Sequence, residues 1–233
     1  MPLTSEFDEG IKEHKTDAMI EVLRTVLMES PSNILVVGCG SGAEAGGLAR
    51  AFGATTIGID IESEFKFDHA AAYPATLKMM DARKLEFPDA TFDLVYSFHA
   101  LEHIPDPKKA LSEMSRVLRP NSAYLIGTPN KSRLVGYLGS PTSFNNKILW
   151  NINDLKMRLL GRWNNEAGAH AGFTATELHK LCAQFFGGAP RSVSDLYYRA
   201  LYHRHRTAVD VLIRTRLKAI LYPCVYVAGH RLP

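Results

Sequence analysis

The stretch ILVVGCGSGAEAGGLA, Ile34 to Ala49, constrains the fold of this chain more than any other. Four apolar residues, three of them β-branched, run straight into glycines at 38, 40 and 42. Helix-forming residues follow, so the segment reads as strand, Gly-rich turn and helix. The alternation continues downstream. NILVVG is expected as a first strand, Ala43–Phe52 as a helix, TTIGID (55–60) as a second strand and LKMMDA (77–82) as a third. FDLVYSF (92–98) reads as a fourth strand, Pro107–Leu118 as a helix stopped by Pro120, and AYLIGT (123–128) as a fifth strand. A helical stripe over 17–29 precedes them, carrying Met19, Ile20, Leu23, Val26 and Leu27. Strands alternating with helices imply βαβ units, a parallel sheet and right-handed crossovers.

Beyond Asn130 the rhythm breaks. Residues 131–172 give no strand signal, only a helical patch near Asn153–Leu160. A connection this long inside one domain is expected to be functional, here as an inserted lid or substrate segment. Its aromatics, Tyr137, Phe144, Trp150 and Trp163, suit either the wall of an apolar pocket or the seal of a lid. Alternation resumes with a helix at Thr174–Phe186, a strand at Ser192–Tyr198 and a last strand, CVYVAG. Between those two strands, 207–221 reads as one amphipathic helix, with Val209, Leu212, Ile213 and Leu217 on one side and Arg214 and Lys218 on the other.

A chain of 233 residues, 46% hydrophobic and 22% charged, suits a single domain with an insertion. The N-terminal MPLTSEFDEGIKEHK is too polar for a secretory signal, and no apolar run reaches the ~18 residues of a spanning helix. Cys39, Cys182 and Cys224 form neither a disulfide framework nor a zinc pattern, which points to a reducing, cytoplasmic compartment. The nine histidines lack metal-ligand spacing, so no metal is expected. Net charge is +3, but from Arg191 onward eight Lys or Arg face only Asp195 and Asp210. That excess leaves two readings: a solvated helix face, or peripheral contact of 203–218 with an anionic membrane or a lipid-linked phosphate. Nucleic acid is not expected, because no aromatic platform interleaves with the basic residues.

The Gly-rich turn alone leaves its ligand open. G-x-G-x-x-A fits the loosened fingerprint for NAD or FAD, and G-x-G-x-G fits a loop for S-adenosylmethionine (SAM). Asp60 ends the second strand, where a carboxylate accepts both hydroxyls of an adenosine ribose. Both ligands carry that ribose.

Met79 to Asn130 separates them. DARKLEFPDATFDLV, ALEHIPDP and EMSRVLRPNSAYLIGTPN, in this order and spacing, closely resemble class I SAM-dependent methyltransferases. Within them the likeness is to the type-11 group, which includes quinone-biosynthesis enzymes. It covers about 34–130 and returns at GAHAGFTATEL and CVYVAGHRLP. The resemblance implies a Rossmann-like, seven-stranded, mostly parallel sheet with an antiparallel C-terminal strand and helices on both faces. It implies Gly38, Gly40 and Gly42 under the methionine end of SAM, with Cys39 as a small filler. Asp60 would hold the ribose and Ile61 pack on the adenine. Asp81, beside Ala82, would accept from the adenine amino group, with a helix cap before ARKLEF as the alternative reading of that aspartate. Ser97, Phe98 and His99 would flank the sulfonium.

Methyl transfer to an alcohol or phenol needs a proton acceptor, and histidine suits that role. His99, His103 and His170 are the candidates, with a structural role for His103 equally open. The expected activity is methyl transfer to a small-molecule, glycoconjugate or lipid-linked acceptor, at oxygen first and at nitrogen or carbon as alternatives. An NAD-linked oxidoreductase and a catalytically silent SAM-binding protein are the competing readings. The sequence does not address oligomeric state.

Overall fold

The computed structural model describes residues 3–61, 74–137, 142–166 and 170–233, with 3–13 as backbone only. Parts of the expected 131–172 insertion, at 138–141 and 167–169, therefore lie outside the described residues. The strands are β1 (Asn33–Val37), β2 (Thr55–Asp60), β3 (Ala75–Met79), β4 (Phe92–Phe98), β5 (Leu118–Pro129), β6 (Arg191–Ser192) and β7 (Cys224–His230). They form one sheet in the order β3-β2-β1-β4-β5-β7-β6. The first five run parallel; β7 is antiparallel to both of its neighbours.

The helices are α1 (Leu3–Val26), α2 (Ala43–Phe52), α3 (Pro107–Val117), α4 (Phe144–Leu159), α5 (Ala175–Phe186), α6 (Ser194–Leu201), α7 (Arg206–Arg214) and α8 (Lys218–Leu221). Strand β1 is apolar throughout because both of its faces are covered. Ile34 and Val36 join Met19, Leu23, Leu48, Tyr197 and Tyr226 on one side. Leu35 and Val37 join Leu111, Met114, Leu178 and Phe186 on the other. The strand order runs outward in opposite directions from β1 and β4. Such a switch point leaves a crevice at the carboxyl ends of those two strands.

Three expectations need correction. The Ser192–Tyr198 segment is a strand only at Arg191–Ser192, and α6 takes over from Ser194. Helical spacing carries Tyr197 and Tyr198 into the core against Tyr226, and the Ser194 hydroxyl accepts the Tyr226 N–H at 2.9 Å. Packing overrides β-propensity here. The helix expected over 207–221 is interrupted: Thr215 Oγ1 donates back to Val211 O at 2.7 Å, and Arg216 takes a left-handed φ of 61°. The helical patch near Asn153 is the second half of α4, which starts at Phe144 behind a Ser143 cap. The first helix ends at Val26, ahead of Pro31, and the third strand ends at Met79.

Candidate cofactor and acceptor site

The turn after β1 is glycine for two different reasons. Gly38, Gly40 and Gly42 all have positive φ, at 75°, 49° and 87°. At Gly38 a Cβ would sit 2.1 Å from Ala100 Cβ, so the turn and the loop after β4 meet without room for a side chain. At Gly40 nothing lies within 4 Å of that position. This left-handed residue faces open space, as a cradle for a ligand would. The N–H groups of Gly38 and Cys39 donate to Ile59 O at 2.8 and 3.0 Å and fix the turn to the end of β2. Asp60 completes it: Oδ2 accepts the Gly40 N–H at 2.9 Å and Oδ1 the Ile61 N–H at 2.8 Å. Cys39 is buried under Gly58, and burial pushes its thiol up to about 12, leaving it an inert filler. The Ile61 side chain is exposed beside Asp60.

Asp81 sits in the turn after β3. Its Oδ1 accepts the Arg83 N–H at 2.8 Å, and the guanidinium closes on both oxygens at 2.7–3.0 Å. Those hydrogen bonds from Arg83 hold its carboxyl below the usual range. Ala82, between them, is half-buried. Asp81 thus closes a turn, with no helix behind it for the alternative cap reading, and an adenine amino group would have to share the carboxylate with Arg83.

A cavity of about 860 Å³ opens from the Gly turn past Phe98 and His99 to Arg133, Asp154 and Tyr197. His99 occupies a left-handed backbone (φ 56°), with its N–H donating to Gly127 O at 2.9 Å and its ring stacked 4.4 Å from Phe98. A non-glycine residue in that conformation costs about 1 kcal/mol or more and marks a constrained position. Burial, followed by the charges of Lys15, Arg133 and His103, lowers the His99 pKa to about 3. Its imidazole is neutral at ordinary pH, and the buried Nε2 has no protein partner. Ser97 is wholly buried in β4 and its hydroxyl is likewise unpartnered.

His103 and His170, far apart in sequence, meet with ring centroids 4.7 Å apart in the cavity wall. All three expected histidines thus line one cavity. Beside His103 stands a residue the sequence reading passed over. Glu102 is buried, its Oε1 lies 3.8 Å from His103 Nε2, and its Oε2 has no partner. Burial, opposed by its backbone N–H and by Arg133, pushes this carboxyl up to about 7. Its letter stood in ALEHIPDP, but nothing local announced that it would point inward.

The far wall was also missed. Arg133 and Asp154 form a buried ion pair at 3.2 Å, and the Tyr137 hydroxyl donates to the other Asp154 oxygen at 3.1 Å. The Arg133 guanidinium lies over the Trp163 ring at 5.0 Å. The pair joins residues from two segments that no periodicity links. Among the described residues, no cluster of His, Cys, Asp and Glu could hold a metal ion.

The family model described as "Methyltransferase domain" matches residues 35–126, from β1 through β5. Residues 35–126 thus carry a methyltransferase domain, set in the Rossmann-like, mostly parallel sheet described above. A probable tocopherol O-methyltransferase from Oryza sativa subsp. japonica is 31% identical over 107 residues, 43% of this chain and 30% of the relative. Ajmaline N-methyltransferase from Rauvolfia serpentina is 34% identical over 105 residues, 42% and 36% of the two chains. The chain thus spans about a third of these relatives' length. The plantazolicin methyltransferase BpumL, solved with S-adenosylhomocysteine, shares the fold over 98% of this chain and 88% of its own, with a TM-score of 0.63 at 14% identity.

S-adenosylmethionine is the cofactor of this domain, and the residues present suit it. Gly40 leaves open space where a side chain would intrude, and α2 begins at Ala43 behind Gly42, with no side-chain cap on its first N–H groups. Glu44 adds an acid to the cavity wall, complementary to an ammonium.

Proposed function

We propose that this chain transfers the SAM methyl group to a hydroxyl oxygen of a small-molecule, glycoconjugate or lipid-linked acceptor held in the cavity. One observation carries the reading. Proton-accepting groups, Glu102 with His103 and His170, gather in the wall of the same cavity that begins at the Gly turn.

SAM supplies an electrophilic methyl group on a positive sulfur, so the chain's own work is alignment, exclusion of water and removal of one proton. Gly38, Gly40 and Gly42 pass under the methionine end. Asp60 holds the ribose hydroxyls, Ile61 covers the adenine, and Asp81 with Ala82 borders its amino group. Ser97, Phe98 and His99 flank the sulfonium. The neutral state of His99 avoids repelling that charge, and the same state makes it a poor base. Glu102, raised to about 7, is poised to take the proton near neutral pH, and His103 offers the outward path. The chain acts as one domain with 131–172 as a lid over the acceptor. The O-methyltransferases among the relatives support oxygen as the accepting atom, and the N-methyltransferases keep nitrogen as the second reading.

Labelled SAM incubated with fractionated metabolites and lipids of the source organism tests this. The expected result is one labelled fraction whose label sits on oxygen, with a rate that rises as pH passes about 7 and collapses in Glu102→Gln. Calorimetric binding of NAD without binding of SAM would overturn the reading, as would label found on nitrogen alone.

A further inference from the structure

Helix α4 is turned inside out. The side facing the protein is polar. Asn151 Oδ1 accepts the Gly136 N–H at 2.7 Å, Asp154 pairs with Arg133, and Arg158 donates to Arg133 O. The side facing away is apolar: Phe144, Ile148, Ile152, Leu155 and Leu159, at the i, i+4, i+8, i+11 and i+15 positions of one face, are 45–80% exposed. Leu160 continues the stripe past the helix end, and Leu134 and Val135 are exposed on the loop that anchors it. A helix that buries polar groups and presents leucine and isoleucine outward has an unmet partner for that face.

Charge narrows what the partner is. Between Thr142 and Trp163 the cations are Lys147, Lys156, Arg158 and Arg162; Arg158 is turned inward with the only acid, Asp154, while Lys156 and Arg162 are exposed. The outward surface is thus apolar with a basic fringe. A second copy of the chain, packed face to face, would set these cations against one another. Among the described residues no helix is long and apolar enough to cross a membrane, so the helix lies along its partner instead.

We propose that the outward face of α4 lies in the headgroup–acyl boundary of an anionic phospholipid bilayer. Apolar residues enter the acyl edge while lysine and arginine meet the anionic headgroups. Trp150 and Asn153 of the same helix line the cavity, so docking brings one wall of the cavity close to the lipid. The surface differs from the basic segment 203–218. There the apolar side is spent on the protein: Val209 is buried, and Leu212 and Ile213 pack on the core. That segment offers charge, and α4 offers charge with an insertable face. The two are joined through the loop between β5 and α4, because Leu134 N–H donates to Ile220 O at 2.8 Å. Docking does not depend on Glu102 or on SAM, so its failure and that of the methyl-transfer reading are separate.

The test is co-sedimentation of the full chain with vesicles of phosphatidylglycerol and phosphatidylcholine in equal parts, beside vesicles of phosphatidylcholine alone. Binding to the anionic vesicles, weakened by salt, is expected. A triple variant, Ile148→Ser, Ile152→Ser and Leu155→Ser, should lower that binding at least about ten-fold. Unchanged circular dichroism and SAM affinity would show that it folds. Lys156→Glu with Arg162→Glu should weaken binding several-fold on anionic vesicles only. Val211→Ser with Leu217→Ser should leave most of it. Wild-type chain remaining in solution overturns the proposal, and so does equal binding by the triple variant. A dimer that forms without lipid and is abolished by the triple variant also overturns it, by making the face a contact between copies.

Discussion

The two walls of the cavity are fastened in opposite ways. On the cofactor side, Ile34, Leu35, Val36 and Val37 are all buried, and the Gly turn hangs from Ile59 O by two backbone hydrogen bonds. On the far side, where we place the acceptor, α4 turns polar groups inward and is fastened through Asn151, Asp154 and Arg158. The first arrangement draws on non-directional apolar burial, which tolerates many sequences. The second depends on a few directed bonds, each of which matters alone. Losing one contact should therefore leave the first wall standing and release the second.

The largest expected effect is at the ion pair. Arg133→Ala leaves the Asp154 carboxylate buried without its partner, at a cost of about 3–5 kcal/mol. That cost should appear as faster proteolysis and hydrogen exchange within α4, while the urea midpoint of the whole domain hardly moves. An equal fall in that midpoint would break the comparison.

The seam between the walls responds to pH. Glu102 has a folded pKa near 7 against an ordinary 4.5, so the folded state binds its proton more tightly. The stability this contributes is fully present below 4.5 and is lost as pH rises through 7, about 3 kcal/mol in all. His99 carries the opposite sign: its folded pKa near 3 lies below the ordinary 6.5, so its contribution is present above 6.5 and lost as pH falls toward 3. Denaturant unfolding of wild type and Glu102→Gln at pH 5 and pH 8 isolates the first effect. The variant should lack the decline with rising pH.

On the cofactor side, Gly38→Ala must place a Cβ against Ala100 and hold a positive φ, which should destabilise the chain by about 2–3 kcal/mol. Thermal unfolding reads this loss, and proteolysis of α4 should be little changed. The smallest change is expected from Asp60→Ala. It removes the proposed ribose acceptor and should weaken SAM binding by about 1–3 kcal/mol in calorimetry. Unchanged affinity would remove Asp60 from the cofactor side.

The same contrast explains what could be read in advance. TTIGID, FDLVYSF and Ala43–Phe52 emerge with the expected bounds because apolar runs and glycine punctuation are local signals. The three histidines were drawn to one cavity by where strand ends and the insertion must lie. Tyr197 and Tyr198 misled, since a β-rich string became a helix once the sheet surface was there to receive it. Glu102, Arg133 and Asp154 could not be picked out. A buried charge looks like a surface charge until its partner, here from a different segment, is known.

The inverted helix has a thermodynamic consequence. Detaching α4 would uncover little new apolar surface, because its apolar side already faces outward. The heat-capacity change and the urea dependence of such an opening both scale with surface newly exposed, so both should be small. The helix would then detach to a similar extent in the cold and in the warm, while the sheet beneath it keeps the steep, curved stability of an ordinary core.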